Sequence, residues 1–251
     1  MPPFASDALV LRSYKLGETS KIVVLLTRER GKLRAVARGA RGKRSRYQSA
    51  LEPLSEVRAS IYGRQGTELY RLGSCELLRS AFLAGSRGLD NALSFSYYAE
   101  LLDAFSPEGQ AEDDVYRLAA SVIRAAEDGR PAALLSRYLE AWVLKLHGLY
   151  PSTSRCASCG RPLADGELRY HAAAHGFVCA ACGPASGPFL NRASRGVLES
   201  MFRTAPAELP PASLPELRPL EAFHHQLIGR HLERDLRSFR VLADLQRDGA
   251  S

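Results

Sequence analysis

The sequence lacks any long apolar segment. No window holds 18 apolar residues without a charged one, so it contains no candidate for a membrane-spanning helix. A secretory signal peptide also needs an apolar core close to its start. The first 30 residues instead carry charges in that region, at Asp7, Arg12, Lys15, Glu18 and Lys21. We therefore expect a soluble, intracellular, cytoplasmic protein with no membrane association.

The sequence also lacks the motifs of common catalytic sites. No Ser-His-Asp pattern, pair of catalytic carboxylates or dinucleotide fingerprint can be assembled from it. Gly42-Lys43 is similar to the end of a P-loop, but Arg44 stands where Ser or Thr must hold Mg²⁺. We therefore assign no catalytic residue, and we favour a binding protein over an enzyme.

Cysteine is scarce, with 5 residues in 251, yet four of them are regularly spaced. Cys156 and Cys159 form one pair, and Cys179 and Cys182 form a second pair after 19 intervening residues. Two such pairs can close a tetrahedral sulfur shell around one Zn²⁺. Because this shell leaves no position for water or substrate, we predict a structural zinc site, with two disulfide bonds as the alternative. The fifth cysteine, Cys75, is expected to be a small buried hydrophobic residue.

Positive charge is concentrated in the first part of the chain. Residues 1–75 hold 15 Lys and Arg against 6 Asp and Glu, although the whole protein has a net charge of only +7. Seven basic residues and no acidic one lie between Lys32 and Arg46, in a stretch that also contains Gly39 and Gly42. A flexible cationic loop of this kind suits contact with a nucleic-acid backbone, and a solvated charged surface is the alternative reading. Tyr47, just after the loop, offers a face on which a base could stack.

The region before residue 80 has the alternating pattern and turn signals of short β-strands. Strands are predicted at 8–14, 21–27, 32–38, 54–62 and 67–78. Five strands with this spacing indicate a small closed barrel. The OB-fold, which binds oligonucleotides, fits best, and an SH3-like barrel fits the strand count nearly as well. We expect domain 1–80 to be a five-stranded OB-fold β-barrel that binds nucleic acid.

From residue 89 the apolar period becomes helical. Apolar stripes at 93–105, 115–126 and 135–146 predict three helices, with Trp142 in their core. A zinc ribbon at 155–190, a helix at 191–202, an irregular proline-rich connector at 209–219 and a last helix at 220–245 follow. His224, His225 and His231 on that helix are expected to be ordinary surface residues. The predicted fold class is α+β, with a helical domain at 81–251 that contains the zinc ribbon.

Two segments resemble the RecO family of bacterial recombination-repair proteins. Residues 8–22 read ALVLRSYKLGETSKI and are similar to the start of that family; residues 31–41 read GKLRAVARGAR and are similar to its third strand and basic loop. The order of barrel, helices, four-cysteine ribbon and C-terminal helix extends the resemblance over the whole chain.

The resemblance implies a mediator of DNA recombination and repair. Such a protein binds single- and double-stranded DNA, anneals complementary strands, and acts with RecR and single-stranded-DNA-binding protein to load recombinase. The positions implied for DNA contact are Lys15, Arg34, Arg38, Arg41, Lys43, Arg44 and Arg46, with structural zinc on Cys156, Cys159, Cys179 and Cys182. The helical stripes of 89–148 would receive the C-terminal tail of single-stranded-DNA-binding protein, with Arg124 or Arg137 near its carboxylate.

Two other functions remain open from the sequence. A metal-dependent nuclease could assemble its active site from residues that are distant in the chain. An RNA-binding or transcription-associated protein could also combine an OB-fold with a zinc ribbon.

Overall fold

A computed structural model gives the structure of the chain. It describes residues 3–43, 45–64, 66–81, 88–183 and 188–239. These form two compact units. The first unit consists of two segments, the chain up to Ala132 and the chain from Leu236 onward, and the second unit is Ala133–Asp235. No helix in the described part of the chain combines the length and apolar character needed to cross a membrane.

Five strands form a closed barrel in the first unit. Their bounds are β1 Phe4–Leu16, β2 Ser20–Thr27, β3 Gly31–Ala37, β4 Glu56–Tyr62 and β5 Tyr70–Arg79. The strand order is β1-β2-β3-β5-β4; β3 and β5 pair in parallel, and the other neighbours are antiparallel. This closed five-stranded arrangement confirms the predicted OB-like barrel.

Side-chain alternation explains why these segments become a barrel. Val23 and Leu25 of β2, with Ala35 and Ala37 of β3, point inward to one apolar cluster that fills the barrel. Leu26 is also fully buried but lies outside that cluster. Buried residues on both faces of a strand indicate that part of the outer surface is covered as well.

Two helices cover part of that outer surface. Helices α1 (Leu89–Phe105) and α2 (Asp113–Glu127) pack against β1. The Lys32 ammonium donates to the carbonyl of Asp103 at 2.5 Å, and the Tyr116 hydroxyl donates to Glu56 Oε1 at 2.9 Å. The compact unit that holds the barrel therefore also includes α1 and α2, whereas the division into domains at residue 80 stays a prediction.

The turn between β2 and β3 fits closely against the loop between α1 and α2. Gly31 has φ +66°, and a Cβ added there would lie 1.7 Å from the carbonyl oxygen of Gln110. Only glycine allows this approach without a shift of the backbone. Later in the chain, Glu100 of α1 accepts the backbone N–H groups of Arg237 and Ser238, beside the buried Leu236.

The second unit is built on helix α3 (Ala132–Leu146), whose first residue belongs to the first unit. A three-stranded sheet follows, with β6 (Leu168–His171) between β7 (Gly176–Val178) and β8 (Phe189–Leu190). Helices α4 (Arg192–Met201) and α5 (Leu214–Leu232) complete the unit. Trp142 is only partly buried, and its indole N–H donates to the carbonyl of Met201 at 2.9 Å.

The predicted proline-rich connector is wrong in its second half. Helix α5 begins at Leu214 and includes Pro219, because Ser213 and Glu216 form a capping box in which Glu216 accepts the Ser213 backbone N–H. The predicted end at residue 245 is also wrong, since Glu233 takes a left-handed conformation and ends the helix after Leu232. Residues 240–245 of the predicted helix lie outside the described residues.

Candidate metal centre and nucleic-acid interface

Two tight turns bring the four spaced cysteines together. In the first, the N–H of Cys156 donates to the carbonyl of Arg161, and that of Gly160 donates to the carbonyl of Cys156. In the second, the N–H groups of Cys182 and Gly183 both donate to the carbonyl of Cys179. Sharp turns of this kind allow both sulfur atoms of a pair to face one point.

The resulting sulfur cluster has the dimensions of a zinc site. The four Sγ atoms lie within 4.8 Å of one another, and those of Cys159 and Cys179 are 3.8 Å apart. A tetrahedral site with Zn–S bonds of about 2.3 Å requires S···S separations of about 3.8 Å. The N–H of Cys179 also lies 3.3 Å from Cys156 Sγ, as a thiolate acceptor requires. A zinc ion therefore fits the cluster, and the cysteines are not joined in disulfides.

The electrostatics of the cluster also favour a cation. The hydrogen bond from the Cys179 N–H lowers the pKa of Cys156 to about 6. Hydrogen bonds with the Cys159 and Cys179 side chains raise the pKa of Cys182 to about 12. Four thiolates cannot coexist at this spacing without a positive charge among them, and a bound Zn²⁺ supplies it.

Within the second unit, the ribbon is anchored to α5 through aromatic packing. Phe177 and Tyr170 lie 5.0 and 5.1 Å from Phe223 of α5, measured between ring centroids. The N–H of Ala157, inside the first cysteine pair, donates to the carbonyl of Phe177 at 2.8 Å. The metal would therefore stabilise a fold that is continuous with the helices, which is a structural role. Among the described residues, neither His171 nor His175 joins the metal-binding group.

The prediction that His224 and His225 are ordinary surface residues is wrong. His224 is completely buried, and both histidines contact Glu140 of α3, whose side chain is also fully buried. The Arg137 guanidinium donates to Glu140 Oε1 at 2.6 Å and pairs with Glu221 Oε1 at 2.9 Å. The sequence hides this network because its members lie on α3 and α5, more than 80 positions apart.

Protonation within this network follows from its geometry. Burial alone would raise the pKa of Glu140, but Arg137 and the two histidines hold it well below its ordinary value. The ionised carboxylate can only accept, so His224 Nδ1 donates to it and Nε2 accepts from the Tyr150 hydroxyl at 2.9 Å. Burial lowers the pKa of His224, so its imidazole is neutral.

Five basic residues of the barrel and its loop lie toward one end of the sheet. Lys15 pairs with Lys21 across β1 and β2, and Lys21 pairs with Ala37, the residue before Arg38. Arg41 holds its loop on the β1–β2 turn: its side chain donates to the carbonyl of Gly17 at 2.7 Å, and its N–H donates to that of Thr19 at 2.9 Å. We call this surface the cationic rim and define it as Lys15, Lys21, Arg38, Arg41 and Lys43.

Other predicted contact residues lie apart from the rim or have partners. Of the predicted residues, Arg34 pairs with Glu108 at 2.7 Å. Two basic residues outside the predicted set, Arg12 and Lys32, pair with Asp103, each at 3.3 Å. Some of the N-terminal positive charge therefore holds the barrel to the acidic residues that follow it. Arg46 is exposed and donates to the Tyr47 hydroxyl, whereas Arg44 lies outside the described residues.

Tyr47 cannot act as the stacking platform suggested by the sequence. Only 1% of the residue is exposed, and its hydroxyl donates to the carbonyl of Leu72 at 2.9 Å. It belongs to the apolar cluster inside the barrel.

An OB-like barrel with a cationic rim, followed by helices and a four-cysteine centre, is an arrangement typical of a nucleic-acid-binding protein. Family models described as Recombination protein O N terminal and C terminal match residues 1–81 and 87–240. The chain belongs to the RecO family of DNA repair proteins.

Individual relatives match over nearly the whole chain. The DNA repair protein RecO of Koribacter versatilis is 34% identical over 242 residues, which cover 96% of this chain and 98% of the relative. RecO of Pelotomaculum thermopropionicum is 34% identical over 252 residues, covering 96% and 94%. RecO of Anaeromyxobacter sp. strain K is 34% identical over 233 residues, covering 89% and 91%.

Proposed function

We propose that the protein is a mediator of DNA recombination and repair. It binds single- and double-stranded DNA, anneals complementary strands, and helps to load recombinase onto single-stranded DNA coated by single-stranded-DNA-binding protein. The observation that carries the proposal is the cationic rim, at the end of an OB-like barrel. Within the described residues, none of its five basic side chains forms an ion pair with a carboxylate.

The rim suits a ligand with a regular negative charge. Each Lys or Arg that neutralises a phosphate releases counterions, so the logarithm of affinity should fall with the logarithm of salt by about 0.9 per contact. The five rim residues predict a slope of about −4 to −5 on duplex DNA if all of them meet phosphates. We include Arg34, Arg44 and Arg46 as secondary contacts, and Arg34 would exchange Glu108 for a phosphate at little cost.

Annealing follows from binding two strands through their backbones. Neutralised phosphates repel one another less, while the bases of both strands remain able to pair. The test mixes two complementary labelled strands with the intact protein and follows duplex formation over time. Faster annealing with intact strands supports the proposal.

The same reaction also separates the mediator from a nuclease. With Mg²⁺ or Mn²⁺ present, shortened strands would favour a metal-dependent nuclease and contradict the absence of an enzymatic role that we propose. Competition between single-stranded DNA and RNA of equal length tests the RNA-binding alternative, which gains support if RNA displaces DNA at equal concentration.

We propose two protein partners, RecR and single-stranded-DNA-binding protein. For the second, the C-terminal tail would bury its last apolar side chain among helices of 89–148 and place its carboxylate beside an arginine. Arg137 is a poor candidate because it is buried and paired with Glu140 and Glu221. Arg124, exposed in the last turn of α2, remains available.

Calorimetry on the intact protein tests the tail interaction. The tail peptide should bind, and the same peptide with an amidated C-terminus should bind more weakly because it lacks the charge. Equal binding of both peptides would remove the carboxylate from the proposal. Acting on chromosomal DNA with these partners, the protein would reside with the nucleoid in the cytoplasm.

A further inference from the structure

Five residues form a continuous row across the outside of the barrel. Tyr14 of β1 is in register with Ile22 of β2, and Ile22 is in register with Val36 of β3. Val36 is in register with Arg71 of β5, which pairs in turn with Tyr62 of β4. The row therefore crosses every strand, from one tyrosine to the other. We call it the tyrosine row.

The alternation of the strands places this row on the outer surface. The residues beside it in sequence, such as Val23, Ala35 and Leu72, belong to the cluster inside the barrel. Side chains in register across a sheet share one face, and sequence neighbours face the opposite way. Tyr14 is 43% exposed, and Ile22, Val36 and Tyr62 are partly exposed.

Each tyrosine ring has a guanidinium group near it, and the Tyr62 ring also packs against the sheet. The Tyr62 ring lies on Gly73 of β5, where an added Cβ would be 2.3 Å from the ring. The exposed guanidinium of Arg71 lies 5.0 Å from the centre of the same ring. The guanidinium of Arg12 lies 5.9 Å from the centre of the Tyr14 ring and pairs with Asp103 at 3.3 Å.

The charge around the row identifies its occupant. One end of the row lies at the end of the sheet that carries the cationic rim: Lys15 and Lys21 are the sequence neighbours of Tyr14 and Ile22, and strand alternation turns their side chains to the other face. Arg71 adds a cation at the other end. An apolar and aromatic strip with positive charge beside it matches a ligand whose flat apolar groups alternate with negative ones, as in single-stranded nucleic acid.

The length of the row also suits such a strand. Neighbouring strands are about 4.8 Å apart, so the four steps from Tyr14 to Tyr62 follow roughly 19 Å of curved outer surface as the row winds around the closed barrel. A path of that length accommodates several unpaired bases, within the roughly 4 to 16 nucleotides that one OB-fold covers.

We propose that the tyrosine row is a base-stacking track for single-stranded DNA, with Tyr14 and Tyr62 as its stacking residues and Arg71 as a phosphate contact. This inference rests on the proposed DNA binding and adds to it a discrimination between unpaired and paired bases. Bases within a duplex are already stacked and cannot reach the rings, so the track acts on single strands alone.

The experiment compares two oligonucleotides of roughly 15 nucleotides, one with bases and one fully abasic, binding to the intact protein. The variant Tyr14→Ala/Tyr62→Ala should bind the base-bearing strand about tenfold or more weakly, and the abasic strand as tightly as the parent does. The matched variant Tyr14→Phe/Tyr62→Phe keeps both rings and should retain the preference for bases. Neither variant should change the salt slope, whereas Arg71→Ala should reduce it by about 1.

Two results would refute the proposal that the tyrosine row stacks bases. One is equal binding of both strands by the parent protein, and the other is an unchanged preference for bases in the double alanine variant. If loss of the Tyr62–Gly73 packing unfolds that variant, Tyr14→Ala alone decides, because its ring is already exposed. Failure of the parent to bind either strand would refute DNA binding itself, a different result from equal binding of both.

Discussion

Replacement of Glu140 by Gln tests whether the buried network in the second unit stabilises the protein. The carboxylate is fully buried and accepts hydrogen bonds from Arg137, His224 and His225. Gln keeps the shape but removes the charge, which leaves the buried Arg137 with the partly exposed Glu221 as its carboxylate partner. Breaking a buried pair on one side costs about 3 to 5 kcal/mol, and we expect the lower end because Glu221 remains.

Thermal unfolding at pH 7 measures this loss. For a chain of this length, each kcal/mol corresponds to about 2–4 °C, so the midpoint should fall by roughly 6 to 12 °C. The matched control is Glu167→Gln, which breaks the exposed pair with Arg169 at 2.8 Å in the same unit. An exposed pair contributes about 0 to 1 kcal/mol, so this control should change little. If both variants lost the same stability, the network would not be the stabilising element we infer.

Three further predictions concern other parts of the molecule. The double variant Cys156→Ser/Cys159→Ser should release zinc, measured by elemental analysis, and lower the unfolding temperature, because a four-cysteine site contributes folding free energy directly. Arg41→Glu/Lys43→Glu should weaken DNA binding regardless of sequence and flatten its salt dependence, measured by anisotropy at several salt concentrations. His224→Asn should make stability less sensitive to acid: the pKa of His224 is lowered by burial, so its contribution is present above about pH 6.5 and is lost as pH falls.

Each prediction has a control and a contradicting result. Cys75→Ser should leave zinc content unchanged, and one zinc per chain persisting in the double serine variant would refute the ligand assignment. Replacement of the exposed Arg203 and Arg218 by glutamate should not affect DNA binding. If the rim variant kept the affinity and salt slope of the parent, the rim would be only a solvated charged surface. His175→Asn is the control for His224, and identical acid sensitivity in both variants would contradict the assigned sign.

The sequence was informative wherever a local pattern determines structure. The barrel strands could be predicted because short segments of strand-forming residues lie between glycine-containing turns: residues 21–27 hold an apolar run, and burial alternates along Gly31–Ala37. The metal cluster could be predicted because the spacing of the cysteines is itself the geometric constraint.

Features that depend on distant contacts could not be predicted. The burial of His224 requires Glu140, which lies 84 positions earlier in the chain. In the sequence, Tyr47 is an aromatic residue beside a basic loop, and only the closed barrel shows that it lies in the apolar cluster. The start of α5 could have been predicted from the sequence, since Ser213 and Glu216 have capping-box spacing. The connector was predicted from the prolines alone, although proline at the start of a helix is well tolerated.

The return of the chain from Leu236 to Ser238 onto Glu100 has a consequence for synthesis on the ribosome. The barrel and its two helices emerge first, yet the segment that completes their unit follows only after all of Ala133–Asp235. At translation rates of roughly 5 to 20 residues per second, that interval is about 5 to 20 seconds. During this time Glu100 lacks the two backbone N–H donors of Arg237 and Ser238, so the first unit can reach its final set of hydrogen bonds only late in synthesis.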